Sequence, residues 1–227
     1  MKRLFILCLI IVSLSSCSTS LYYQVYNVES DNVMKKERDF IYSDEYCNIK
    51  YDLWAENGNL SFVFTNKTDV DICLDMERSC FIKEGLAYSY FSNEKKTAKI
   101  WIPANSSRFV SGFNLSNLFY YDCDNRDLLY PNRISKTIKY NVNNTPLTVK
   151  NRLVYHFVND EKDRIIENKF WIIDYTNYKE NEMFEWKNNY DCLSGQTKNI
   201  RVLKHQKTYR FYNIYNKVIK QREYIFE

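Results

Sequence analysis

Glycine is scarce in this chain. Only Gly58, Gly85, Gly112 and Gly195 occur among 227 residues, each isolated from the others. A loop that cradles phosphate needs closely spaced glycines so that backbone N–H groups can approach the ligand, so a P-loop or a dinucleotide fingerprint is excluded. Histidine is scarcer still. His156 and His205 stand far apart, no H-E-x-x-H or C-x-x-C occurs, and no metal, zinc-ribbon or thioredoxin-like site is expected. The G-x-S-x-G elbow of a serine hydrolase is missing too. Proline occurs three times, and neither a repeat period nor a low-complexity block is visible, which argues against solenoids and propellers. Charge of one sign is also lacking. The formal net charge is +4, falling to +2 if Lys2 and Arg3 are removed with residues 1–16. That balance does not provide the concentrated basic face that nucleic acid requires.

One long apolar run is present, at the start. Met1-Lys2-Arg3 is followed by an apolar stretch from Leu4 to about Val12, then Ser13, Ser15, Ser16 and Cys17. A charged start, roughly 7–15 apolar residues and a small-residue zone form a secretory signal. The run is shorter than the roughly 20 residues that span a bilayer. Leu14-Ser15-Ser16-Cys17 resembles the bacterial lipobox. That resemblance implies diacylglyceryl transfer to the Cys17 thiol, cleavage before Cys17 and acylation of the new amino group. Three acyl chains, at about 0.8 kcal/mol per buried methylene, make such an anchor permanent. Ser18 and Thr19 follow, without Asp, which in the sorting pattern this resembles implies outer-membrane delivery, and without the acidic cluster that some surface-exported lipoproteins carry there, which implies the periplasmic face.

Aromatic residues are abundant: 20 Tyr, 14 Phe and 4 Trp. Two readings stand side by side. Tyr and Trp can form a sugar-stacking surface, with Trp54, Trp101, Trp171 and Trp186 as candidates. Alternatively, Tyr and Phe fill half-buried pleated sheet, in a chain also rich in Lys, Asn and Ile. Trp101 and Trp171 lie in apolar strand-like runs and are expected in the core. Beyond Cys17, the chain after the signal carries Cys47, Cys73, Cys80, Cys123 and Cys192, an odd number. The repeated Tyr-Asp-Cys at 121–123 and 190–192 makes Cys123 and Cys192 a candidate disulfide. The carboxylate pairs Asp71/Asp75 and Asp122/Asp124 read as solvated acids beside turns.

The body of the chain reads as strands. Leu60, Phe62 and Phe64 alternate with Ser61, Val63 and Thr65; after Asn66-Lys67-Thr68-Asp69, Val70, Ile72, Leu74 and Met76 alternate with Asp71, Cys73, Asp75 and Glu77. Asn57-Gly58 predicts a type I′ hairpin turn. Further strands are expected at 80–82, 98–102 (closed by Pro103), 107–113, 147–158 and 168–175, with Asn159–Arg164 as a solvated loop. Without a long amphipathic helix, one sheet must bury its apolar face on another. The division expected is a signal peptide at 1–16, a lipid-anchored tether at 17–40, in which the β-prone, loosely alternating 21–28 could pair with a sheet edge, an all-β sandwich at 41–185 and an irregular extension at 186–227 packed upon it.

The blocks "YDLWAENGNLSFVFTNKTDVDICLD", "IPANSSRFVSGF", "NNTPLTVKNRLVYHF" and "FWIIDYTNY" resemble small envelope lipoproteins of Bacteroidota. The likeness covers roughly residues 21–190. It implies a secreted, lipid-anchored, β-rich protein and supplies no catalytic residues. The order of strands and turns also resembles an immunoglobulin-like sandwich, a likeness of fold alone. The expectation is therefore a non-enzymatic binding or structural module. It has no cofactor, is held to the membrane through Cys17 and has an envelope protein as partner. The alternative is a carbohydrate-binding module using exposed aromatics.

Overall fold

In a computed structural model the described residues are 21–91, 98–115 and 137–216. In chain order the strands are β1 (Leu21–Ser30), β2 (Met34–Lys36), β3 (Asp39–Ser43), β4 (Cys47–Asp52), β5 (Ser61–Asn66), β6 (Ile72–Lys83), β7 (Leu86–Ser89) and β8 (Lys99–Ile102). Then come β9 (Ser107–Val110), β10 (Thr137–Lys139), β11 (Thr148–Phe157) and β12 (Asp160–Lys179). A single helical turn, α1 (Glu180–Met183), leads to β13 (Phe184–Asp191), β14 (Gln196–Leu203) and β15 (Arg210–Asn216). The all-β expectation is met.

Among the described residues every pairing is antiparallel except one isolated bridge between Glu56 and Tyr212. The larger sheet runs β15-β1-β12-β11-β6-β7, with β10 beside β12 and β8 beside β6. The second runs β2-β3-β4-β5-β9, and β13-β14 form a separate ribbon. The two large sheets share one core. Phe40 and Tyr51 of the second sheet meet Phe170 of β12 at ring separations of 5.5 and 5.0 Å, and Phe64 meets Tyr155 of β11 at 5.8 Å. Leu60, Phe62 and Phe64 are buried, as their alternation predicts.

The segment 21–40 is not a tether. β1 lies between β12 and β15, paired on both sides, and β2 and β3 edge the second sheet. Tyr23, Gln24, Val25 and Tyr26 are buried consecutively. Tyr26 faces the main core, while Tyr23 and Val25 pack with Met183 of α1 in a smaller cluster. A strand covered on both faces loses its alternation. The boundary at 185/186 also shifts: β13 spans it, and β15 belongs to the larger sheet rather than to an appendage.

Three local readings change as well. Asn57-Gly58, with φ of 63° and 68°, turns within an eight-residue connection from β4 to β5 rather than closing a tight hairpin. That connection is docked on β15 by Asn57 N–H to Tyr212 O (2.8 Å) and Tyr212 N–H to Ala55 O (3.2 Å). The tight turn is Glu84-Gly85, both at positive φ, between Lys83 and its register partner Leu86. Residues 160–164, expected in a loop, lie in β12, which leaves only Val158 and Asn159 to turn the chain from β11.

β6 is also less simple than its alternation. Its pairing with β11 jumps from Cys80↔Arg152 to Asp75↔Val154, so residues 76–79 bulge. The Ser79 hydroxyl bridges the gap, donating to Asp75 O (2.5 Å) and accepting Val154 N–H (2.9 Å). Asp75 is buried, not solvated. Its carboxylate accepts N–H groups of Glu77 and Arg78 and the Arg78 Nε (2.8 Å). Burial opposes ionisation there, yet the hydrogen bonds and charge of Arg78 win and hold the carboxyl below its ordinary value.

Candidate binding site

The β13-β14 ribbon stands apart from both sheets. It is rooted where Phe184 packs edge-on against Tyr23 of β1 (5.4 Å) and the Arg201 guanidinium lies 3.9 Å from the Phe184 ring. Arg201 also holds Glu180 of α1 at 2.7 Å. Beyond that root almost every residue is exposed. Trp186 is 69% exposed, Tyr190 61% and Leu193, in the turn, 100%. A two-stranded ribbon is marginal by itself in water, so large apolar side chains held outward on one are unusual. Alternation and register place Trp186, Asn188 and Tyr190 on one face with Arg201, Asn199 and Thr197 opposite. The other face carries Lys187, Asn189 and Asp191 with Ile200, Lys198 and Gln196.

A cleft of about 390 Å³ opens at the ribbon's root. Its walls come from Asp52 at the end of β4 and Trp54 just after it, Glu185 and Lys187 of β13, and the run from Val202 to Thr208 apart from His205, with Arg38 alongside. Backbone bonds tie these walls together. Leu53 N–H reaches Thr208 O (2.8 Å), Thr208 N–H reaches Arg38 O (3.2 Å) and Lys204 N–H reaches Met183 O (3.0 Å). Trp54 is half-buried, packed on Tyr212 at 5.1 Å. Lys187 pairs with Glu185 at 2.8 Å. Arg38, Lys204 and Lys207 make no ion pair among the described residues.

His205 sits beside the cleft, stacked on Tyr178 with centroids 4.0 Å apart and its Nε2 3.2 Å from Glu182 O. Burial lowers its pKa; the hydrogen bond to Glu182 pulls it partly back up, and the positive charges of Arg210 and Lys204 add a smaller downward push. With the folded value below the unfolded value of about 6.5, stability is unaffected above that pH. It falls as pH drops from about 6.5 toward the folded value, because the unfolded chain binds the proton more readily. Proton NMR is expected to give His205 a midpoint below that of a free histidine. A thermal-melt series should begin to decline below about pH 6.5 in the native chain, before the carboxylates titrate, and His205→Gln should remove that early decline.

The residues singled out by sequence are scattered. Cys17, Cys123, Asp122 and Asp124 lie outside the described residues, and so does the Cys123–Cys192 pairing; Cys192 itself is exposed next to the ribbon turn. Trp101 is not core. It is 56% exposed on β8, while its neighbours Ile100 and Ile102 turn inward. Trp171 is half-buried, with Lys169 Nζ 5.9 Å from its ring. Asp71 is exposed and accepts Ala104 N–H. His156 has a buried Nδ1 with no hydrogen-bond partner among the described residues. No group of His, Cys, Asp and Glu able to hold a metal occurs among the described residues, and no described helix is long and apolar enough to cross a membrane. Sequence reasoning missed both the cleft and the exposed ribbon face. Compared with protein-family models, curated proteins and solved structures, the chain matches none.

Proposed function

We propose that this protein is a non-enzymatic binding module of a bacterial envelope, anchored through acylated Cys17 and docking an envelope protein through the β13-β14 ribbon. The observation that carries this reading is the outward Trp186–Tyr190 face with Arg201 at its root. Trp, Tyr and Arg are the residues that dominate protein–protein hot spots. Here they sit among neutral Asn188, Asn199 and Thr197, which suits the charge-depleted centre of an interface. The ribbon's outer strand edges offer backbone groups for strand addition as well.

The lipobox-like Leu14–Cys17 and the resemblance to Bacteroidota lipoproteins support the anchor. Because β1 begins at Leu21, only Ser18, Thr19 and Ser20 separate it from Cys17. At about 3.3–3.6 Å per residue that reach is at most about 14 Å. The anchor thus holds the Leu21–Asn216 end of the larger sheet close to the lipid.

Capture from envelope extract tests the reading. The native chain is expected to retain a defined protein, and Trp186→Ala with Tyr190→Ala to weaken that binding by about thirtyfold, as for hot-spot side chains worth about 2 kcal/mol. Undiminished capture by the double variant would sink the docking role. Mass spectrometry of the mature chain should find acyl groups on an amino-terminal Cys17, and Cys17→Ser should abolish them.

A further inference from the structure

We propose that the cleft at the ribbon's root binds a sugar carrying an anionic substituent, a carboxylate or a sulfate, at a site separate from the protein-docking face. The volume of about 390 Å³ falls within the range of small-ligand sites. The lining is unlike a lipid or drug pocket, because charged and polar groups predominate over Trp54, Val202 and Leu203. Arg38, Lys187, Lys204 and Lys207 outnumber Asp52 and Glu185, so the cleft has an excess of two positive charges. Three of these cations lack a carboxylate partner among the described residues, so an incoming anion replaces no internal ion pair.

The remaining groups suit a polyhydroxylated ring rather than a bare anion. Trp54 offers a flat apolar surface of the kind on which a pyranose stacks, and it is backed by Tyr212. Asp52 Oδ1 accepts the Trp54 N–H at 3.0 Å, which steadies the indole's backbone and leaves the second carboxylate oxygen to accept a hydroxyl. Arg38 supplies a planar fork that matches a carboxylate or sulfate. The walls are already joined by the backbone bonds at Leu53, Thr208 and Lys204. Little ordering is then required on binding, which favours affinity for a small ligand.

The test uses the detergent-solubilised full-length protein and isothermal titration. The probes are trigalacturonate, a sulfated heparin disaccharide, neutral maltotriose and phosphatidylglycerol vesicles. Trigalacturonate, the heparin disaccharide or both are expected to bind with an affinity that falls as salt rises, whereas maltotriose is not. Lys207→Gln and Arg38→Gln, both at the surface, should each weaken binding about tenfold, the scale of a lost charged hydrogen bond. Trp54→Phe reports on stacking without emptying the packing against Tyr212. The double variant Trp186→Ala/Tyr190→Ala should leave sugar binding unchanged, so failure here is distinguishable from failure of the docking face. Equal binding of maltotriose, indifference to Lys207→Gln and Arg38→Gln, or association with the vesicles alone would overturn the proposal.

Discussion

Gly112→Ala is expected to cost about 4 kcal/mol or more, the exceptional end of single-residue effects, and so to unfold much of a domain whose total stability is of order 5–15 kcal/mol. A Cβ at Gly112 would lie 1.5 Å from Leu60 O, 1.9 Å from the carbonyl carbon and 2.6 Å from Ser61 N. All three are backbone atoms, so no rotamer change gives relief. The close approach is built in by Leu60 N–H bonding to Phe113 O at 2.9 Å and by the Asn59–Asn114 bridge. Separating the two segments would break that bond and pull Phe113 from its stack on Phe81 (5.2 Å) and its contact with Tyr90 (5.0 Å). Gly85→Ala is the control. A Cβ there meets nothing within 4 Å, but φ is +85°, so only left-handed strain of about 1–2 kcal/mol applies. Urea denaturation of the two variants separates the mechanisms. Equal midpoints would show that Gly112 is not a close-packing site.

The same geometry explains which parts of the fold were legible. β5 and β8 face the core on one side only, so Leu60, Phe62 and Phe64, or Ile100 and Ile102, alternate with outward residues and announce themselves. β1 reads as β-prone with only loose alternation that suits a sheet edge, and its place between two strands is hidden because Tyr23, Gln24, Val25 and Tyr26 are all buried, without a clear period. The start of β12 fails for the opposite reason. Lys162 and Asp163 are exposed, and charge there marks solvent rather than a loop. Trp101, expected in the core, lies opposite Ile100 and Ile102 and is exposed, so a lone apolar residue among apolar neighbours still obeys alternation. The ribbon from 184 to 203 has two wet faces beyond its root, so its strands leave no hydrophobic rhythm. The cleft was illegible because Arg38, Trp54, Lys187 and Lys207 are separated in the chain and their segments are brought together by the backbone bonds Leu53–Thr208, Thr208–Arg38 and Lys204–Met183.

Tyr51→Phe is expected to cost about 2–5 kcal/mol although it removes a single oxygen and hardly alters volume. The Tyr51 hydroxyl crosses from β4 to the opposite sheet, where Asn151 Nδ2 donates to it at 2.9 Å and Asn168 Nδ2 at 2.6 Å. Asn151 and Asn168 are register partners on β11 and β12, and the Tyr90 hydroxyl donates to Asn151 Oδ1 at 2.8 Å. All four side chains are buried, and Phe170 and Phe62 lie 5.0 and 5.7 Å from the Tyr51 ring. Without the hydroxyl, two amide donors stay in this aromatic cage with no acceptor. Each buried unsatisfied group costs about 1–3 kcal/mol, far more than a satisfied bond contributes. Tyr42→Phe, which loses only a half-exposed bond to Asp44 (3.0 Å), should cost under about 1 kcal/mol. The asymmetry supplies the decisive comparison. Tyr51→Phe combined with Asn168→Leu removes donor and acceptor together and should recover part of the loss. If Tyr51→Phe melts like the native chain, or if the double variant is worse by the sum of its parts, the amides do not depend on that oxygen. The polar bridge would then not be what fixes the alignment of β11 and β12 against the second sheet.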